Sequence, residues 1–120
     1  MSCQLSLPDE GLSRKILGRV SYKDRLPAGR LKPPVGIIPG DVRSLPELDQ
    51  FLSPDAASLP GINLKALSEW IGGVIGDREL ADSVQKIVNA SVSYVDDCVK
   101  IYEVVGYRLD QARKIVKETM

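Results

Sequence analysis

Apolar residues recur with two different rhythms along this chain. From Ser44 onward they return every three or four residues, as on one face of a helix; before it they alternate or are broken by proline. Ser44-Leu45-Pro46-Glu47 has the form of a capping box with proline in the first helical turn, where its missing N–H costs nothing. Leu48, Phe51 and Leu52 complete a short helix that Ser53-Pro54 ends, and Asp55 to Gly61 reads as a loop. Asn63 caps a second helix through about Ile75, with Leu64, Leu67, Ile71 and Val74 on one stripe beside Trp70. Gly72-Gly73 inside that helix costs about 2 kcal/mol in propensity, which implies close approach by another helix or by the N-terminal arm. Gly76 suits the C-terminal position and Asp77 the next N-cap. Leu80, Ala81, Val84, Ile87 and Val88 then mark an amphipathic helix through about Val88.

The last segment opens at Ser93, the favoured N-cap over Ser91. Its stripe runs Val95, Val99, Tyr102, Val105, Leu109, Ala112 and Val116, a mean spacing of 3.5 residues. Asp96 before Lys100 and Asp110 before Lys114 add i,i+4 pairs in the favourable order. A glycine at 106 admits a break there, with a new helix near Asp110, but the phase of the stripe runs through it unchanged. One helix to about Lys117 is the reading it favours.

The front of the chain has another grammar. Lys15 to Tyr22 places Ile16, Val20 and Tyr22 on one alternating face, the pattern of a short extended segment. Pro27-Ala28-Gly29 reads as a turn. Pro33, Pro34 and Pro39 exclude a helix around Val35, Ile37 and Ile38, whose apolar side chains call for packing against something. The predicted fold is mainly α: a small helical bundle of three or four helices, the last one long, preceded by an extended proline-rich N-terminal arm with room for a short β-strand or hairpin. The predicted division is a basic arm over 1–43 and a helical domain over 44–120.

Composition sharpens this division. The 120 residues carry 16 Lys+Arg and 16 Asp+Glu, no net charge, and 43% hydrophobic residues. All eight prolines lie within 1–60. Residues 1–45 hold eight bases against four acids, and 46–120 hold eight against twelve, so the two regions attract each other. No apolar run reaches the length of a membrane span, and MSCQLSLPDEG has neither part of a secretory signal. The expected compartment is the cytoplasm, with Cys3 and Cys98 as free thiols.

The chemistry on offer is sparse. Without histidine, the commonest general base and zinc ligand is missing, and no Ser-His or Cys-His pair exists. No phosphate-cradling glycine loop occurs. Glu79 and Asp82, three apart, could join Asp96, Asp97 or Glu103 around a magnesium ion, but no second pair at that spacing follows; a solvated acidic face is the simpler account. Between Arg14 and Lys32 lie seven bases and one acid, a tract able to follow phosphates. No recognition helix accompanies it, and Asp96-Asp97 open the last helix with the wrong charge.

The reading that follows is a non-catalytic protein–protein interaction or assembly protein, such as an accessory subunit or adaptor, forming a helical homodimer, with an unidentified protein partner also open. A nucleic-acid-associated regulator and a metal-dependent helical enzyme are the alternatives. No cofactor and no membrane contact are expected. The candidate interface comprises Val95, Val99, Tyr102, Val105 and Leu109, at the seam or in the core beside it. Arg14, Lys15, Arg19, Lys23, Arg25, Arg30, Lys32, Ile37 and Ile38 are the candidate arm contacts, on the chain's own helices or on a sister chain. A bundle with one Trp and one Phe has a lean core, and either the arm or a second chain must support it.

Overall fold

Five α-helices and a three-stranded sheet make up the computed structural model, which describes residues 5–32, 34, 36–53, 59–91 and 93–118. In chain order these are α1 (Glu10–Leu17), β1 (Leu26–Lys32), β2 (Gly36–Val42), α2 (Leu45–Leu52), β3 (Leu59–Gly61), α3 (Leu64–Trp70), α4 (Arg78–Asn89) and α5 (Tyr94–Glu118). The protein is mainly helical, and the last helix is the long one.

The predicted caps are where the helices begin. The Ser44 hydroxyl accepts from the Glu47 N–H at 3.2 Å, and Glu47 reaches back to the Arg43 N–H at 3.0 Å, one residue beyond the usual capping-box partner. Asn63 accepts from the Lys65 and Ala66 N–H groups, Asp77 from Leu80, and Ser93 from Asp96. α3 runs straight into a π-helical turn, Ile71–Ile75, where the Gly76 N–H reaches back five residues to the Ile71 carbonyl at 3.0 Å. Gly76 ends it at φ +88, a conformation that favours glycine. The expected close approach holds for Gly72, where a Cβ would lie 3.3 Å from the Ala81 methyl of α4, and not for Gly73, where a Cβ would meet nothing within 4 Å. α5 continues through Gly106 without a break.

Two expectations for the front of the chain are corrected. Lys15–Leu17 is the end of helix α1, not an extended segment. Asp9 caps that helix through the Leu12 N–H at 2.7 Å, and Glu10 pairs with Arg14 one turn on. Ile16 is wholly buried while Tyr22 is 59% exposed, so the two do not share a face; α1 packs on α5 through a helical stripe. Among the described residues the α-helices therefore number five, not three or four. Pro27-Ala28-Gly29 is part of β1, not a turn.

β1 and β2 form an antiparallel hairpin in which Leu26 faces Val42 and Lys32 faces Gly36, and β3 adds antiparallel beside Gly29–Leu31. The strand order β2-β1-β3 explains how proline is tolerated. Pro39 and Pro60 lie on the two edge strands, and Pro27 lies where β1 has a neighbour on one side alone. The apolar core spans the whole described chain: Leu5, Ile16, Leu26 and Val42 join the residues of α2 to α5 in one cluster. α5 is its axis, contacted by α1, α2 and α4.

An ion pair lies inside that core. Arg108 of α5 is 2% exposed and Asp77, the cap of α4, is wholly buried. The guanidinium grips the carboxylate in a fork, Nε to Oδ2 at 2.7 Å and Nη2 to Oδ1 at 3.0 Å. Its Nη1 donates to the Ser6 carbonyl at 2.6 Å and to Gln111 Oε1 at 2.9 Å. Gln111 in turn donates to the Leu5 carbonyl at 2.9 Å, and Glu79 accepts from the Ser6 N–H. Replacing Asp77 with Ala leaves a buried guanidinium short of its counter-charge and removes the α4 cap. The expected loss is about 3–5 kcal/mol of unfolding free energy by urea titration. Arg108→Lys, which keeps the charge without the fork, is also expected to lower the urea midpoint.

Candidate interaction surface

The predicted interface residues divide between two sides of α5. Val105 and Leu109 are wholly buried in the core, and Tyr102 is half-buried against it. Val95 and Val99 face outward, 54% and 39% exposed. The reason is geometric. A stripe repeating every 3.5 residues slides about 20° per heptad around a straight helix of 3.6 residues per turn. The same stripe therefore begins on an open edge and ends under α1 and α2.

The open face continues down the helix through Glu103, Tyr107, Asp110, Arg113, Lys114 and Lys117, all exposed. Tyr107 is 43% exposed, a large ring in water at mid-helix. Lys100 pairs with Asp96 at 3.0 Å at one end, and Arg113 lies 3.9 Å from Asp110 at the other. Asp49 of α2 borders the face near Gly106. Burial raises its carboxyl above the usual carboxylate value, while the Arg113 guanidinium works against that rise.

Tyr94 is tied elsewhere. Its hydroxyl accepts from the Ile62 N–H at 3.0 Å and donates to the Pro60 carbonyl, hooking the end of β3 onto α5. Burial, helped by the neighbouring Cys98 thiol, pushes this phenol from 10.0 up to about 12, against the lowering effect of the Ile62 N–H. Burial likewise raises the Cys98 thiol, so it is a packed side chain and not a poised nucleophile. Next to it, Asp97 accepts from the Ser91 hydroxyl at 2.6 Å, and its other carboxylate oxygen is buried without a hydrogen-bond partner among the described residues.

The described arm residues divide between contacts within the arm and contacts with the helices. Arg14 pairs with Glu10; Arg25 lies 3.7 Å from Asp41 and stacks on the Tyr22 ring at 3.9 Å. Arg19 reaches Glu47 of α2 at 3.0 Å. The Lys15 ammonium lies over Gly76 at the end of the π-helical turn, and Lys23 is exposed. The side chains of Arg30, Lys32, Ile37 and Ile38 lie outside the described residues. Exposed pairs of this kind contribute about 1 kcal/mol or less. The stronger attachment was not legible in the sequence: Arg108 and Gln111 hold the backbone carbonyls of Leu5 and Ser6, which no side-chain pattern records.

Chemistry beyond contact is scarce. Among the described residues no three His, Cys, Asp or Glu side chains gather where a metal could be held. Glu79, half of the sequence's one carboxylate pair, is engaged by the Ser6 N–H and lies 3.8 Å from Arg108. A cleft of about 170 Å³ lined by Lys15, Gly18, Arg19, Val20, Val74 and Ile75 is smaller than the usual ligand pocket. Among the described residues no helix is long and apolar enough to cross a membrane. No known protein family, curated protein or solved structure matches the chain.

The Tyr94 and Cys98 shifts give stability a sign at high pH. Both groups are held neutral in the folded chain, so their contribution is complete below their ordinary values and is lost as pH rises toward the folded ones. The urea midpoint of the wild type is expected to fall between pH 10 and 12. Tyr94→Phe is expected to be less stable at neutral pH by about 1–3 kcal/mol, since it unpairs the Pro60 and Ile62 backbone groups, and to show a flatter alkaline limb.

Proposed function

We propose that this protein is a non-catalytic assembly subunit that pairs with a second copy of itself along α5. The observation that carries the reading is the placement of Val95 and Val99. They stand next to each other, one turn apart, on the open side of a helix whose other sides are covered by α1, α2 and α4. Tyr102 continues the patch inward and Tyr107 extends it along the helix. Aromatic rings beside branched aliphatic side chains, bordered by charges, are the usual make-up of a protein interface.

The support is this surface, not a shortage of core. The sequence left two ways to complete a lean bundle, an arm folded over the helices or a second chain. Leu5, Ile16, Leu26 and Val42 already bring the N-terminal region into the core. Self-pairing therefore serves assembly more than folding, and its partner is reached through an exposed face that the monomer does not need.

Sedimentation velocity tests this directly. The wild type is expected to sediment as twice its 13.1 kDa chain mass at high micromolar concentration. Val99→Lys buries a charge in the paired state and is expected to weaken association by at least about tenfold, with unchanged far-ultraviolet circular dichroism. A wild type that stays monomeric at that concentration overturns the reading.

A further inference from the structure

The open face of α5 carries its charge unevenly. Its first half presents Asp96 and Glu103, with Lys100 already drawn to Asp96 at 3.0 Å. Its second half presents Arg113, Lys114 and Lys117 around Asp110, the one acid among the exposed side chains described there. Two copies laid side by side in the same direction would set acids beside acids and bases beside bases along the whole contact. Reversing one copy sets the acidic half of each against the basic half of the other, and it also opposes the two helix dipoles.

The charges carry a register as well as a direction. Asp96 with Lys100 and Asp110 with Lys114 are two dyads of the same form, acid first and base four residues later, fourteen residues apart. Read from the opposite direction, such a dyad presents its base first. A reversed copy therefore matches each dyad with the other, acid to base at both positions. Building on the reading that α5 pairs with itself, we propose that the pairing is antiparallel and isologous, with its two-fold axis level with Val105. Asp96 then lies opposite the partner's Lys114, and Lys100 opposite the partner's Asp110, each contact made twice. Glu103 falls level with the partner's Tyr107, whose hydroxyl can donate to the carboxylate. Slipping the copies by one helical turn breaks both dyad matches, so the register is specified by charge while Val95 and Val99 contribute apolar area.

Disulfide trapping reads the register. In a Cys3→Ser background, Cys98 is the remaining native thiol and is buried. Glu103→Cys chains mixed with Tyr107→Cys chains are expected to form a cross-linked heterodimer under mild oxidation, while neither variant alone forms its own dimer. Offset by four residues, two copies of the same position are too far apart for a disulfide. Sedimentation of the wild type separates two kinds of failure. A monomer overturns the self-pairing reading and this proposal with it. A dimer in which Glu103→Cys links to itself, or in which the mixture does not link, leaves self-pairing standing and overturns the antiparallel register. Charge reversal gives an independent check: Lys114→Asp is expected to weaken the dimer about tenfold or more, and Asp96→Lys added to it to restore most of that loss. Failure of the double variant to recover, with its fold intact by circular dichroism, counts against the register.

Discussion

The fork between Asp77 and Arg108 joins three parts of the chain that sequence distance keeps far apart. Asp77 starts α4, Arg108 lies past the middle of α5, and the remaining donor of the guanidinium holds the carbonyl of Ser6. Burying two charges costs several kcal/mol each, and a well-packed apolar pair of the same volume is often as stable or more so. What an apolar pair cannot supply is direction. The fork fixes the rotation of α5 relative to the start of α4, and Gln111, one turn on, places the Leu5 carbonyl. With α5 rotated in this way, Val105 and Leu109 point into the core and Val95 and Val99 point out. The open face is thus a consequence of the buried pair as much as of its own residues.

Helix boundaries in the second half were legible because their signals are local. A cap side chain meets an N–H two or three residues away, and Ser44, Asn63, Asp77 and Ser93 do so here. Gly72 was legible for a related reason: a glycine in mid-helix is costly enough to imply a close neighbour, and Ala81 is that neighbour. The front of the chain misled because an alternating pattern and a helical one share positions. Ile16 and Val20 are four apart, which fits a strand at two steps of two or a helix at one turn. The cue that separates them is Asp9 at the cap with Glu10 and Arg14 one turn apart. The turn expected at Pro27-Ala28-Gly29 failed through context: proline and glycine are turn formers in isolation, but a strand with one neighbour accepts the missing N–H.

The candidate interface was legible as a stripe and not as a surface. Periodicity locates apolar residues on one side of a helix, but it does not say which part of that side a neighbouring helix will cover. Here α1, absent from the sequence reading, covers α5 together with α2 and α4. The attachment of the N-terminal segment escaped for a deeper reason. It is made to backbone carbonyls of Leu5 and Ser6, and every residue type carries a carbonyl. Only the donors, Arg108 and Gln111, are visible in sequence, and on a long charged helix they look like any other polar residues.

The anchoring of the N-terminal segment by Arg108 and Gln111 also bears on the open face. In a small domain whose monomer lacks a core, association and folding are one event, and the interface is held for stability. This chain draws Leu5, Ile16, Leu26 and Val42 into the same core as the residues of α2 to α5. Its long helix then keeps a face of mixed apolar and alternating charged residues that folding does not use. In the proposed pairing, affinity rests on the charges of this face and its few exposed apolar side chains, and falls as salt screens the charges. That spare side depends on one arginine: by holding the Ser6 carbonyl and the Asp77 carboxylate, Arg108 fixes which side of α5 the described core covers and which it leaves open.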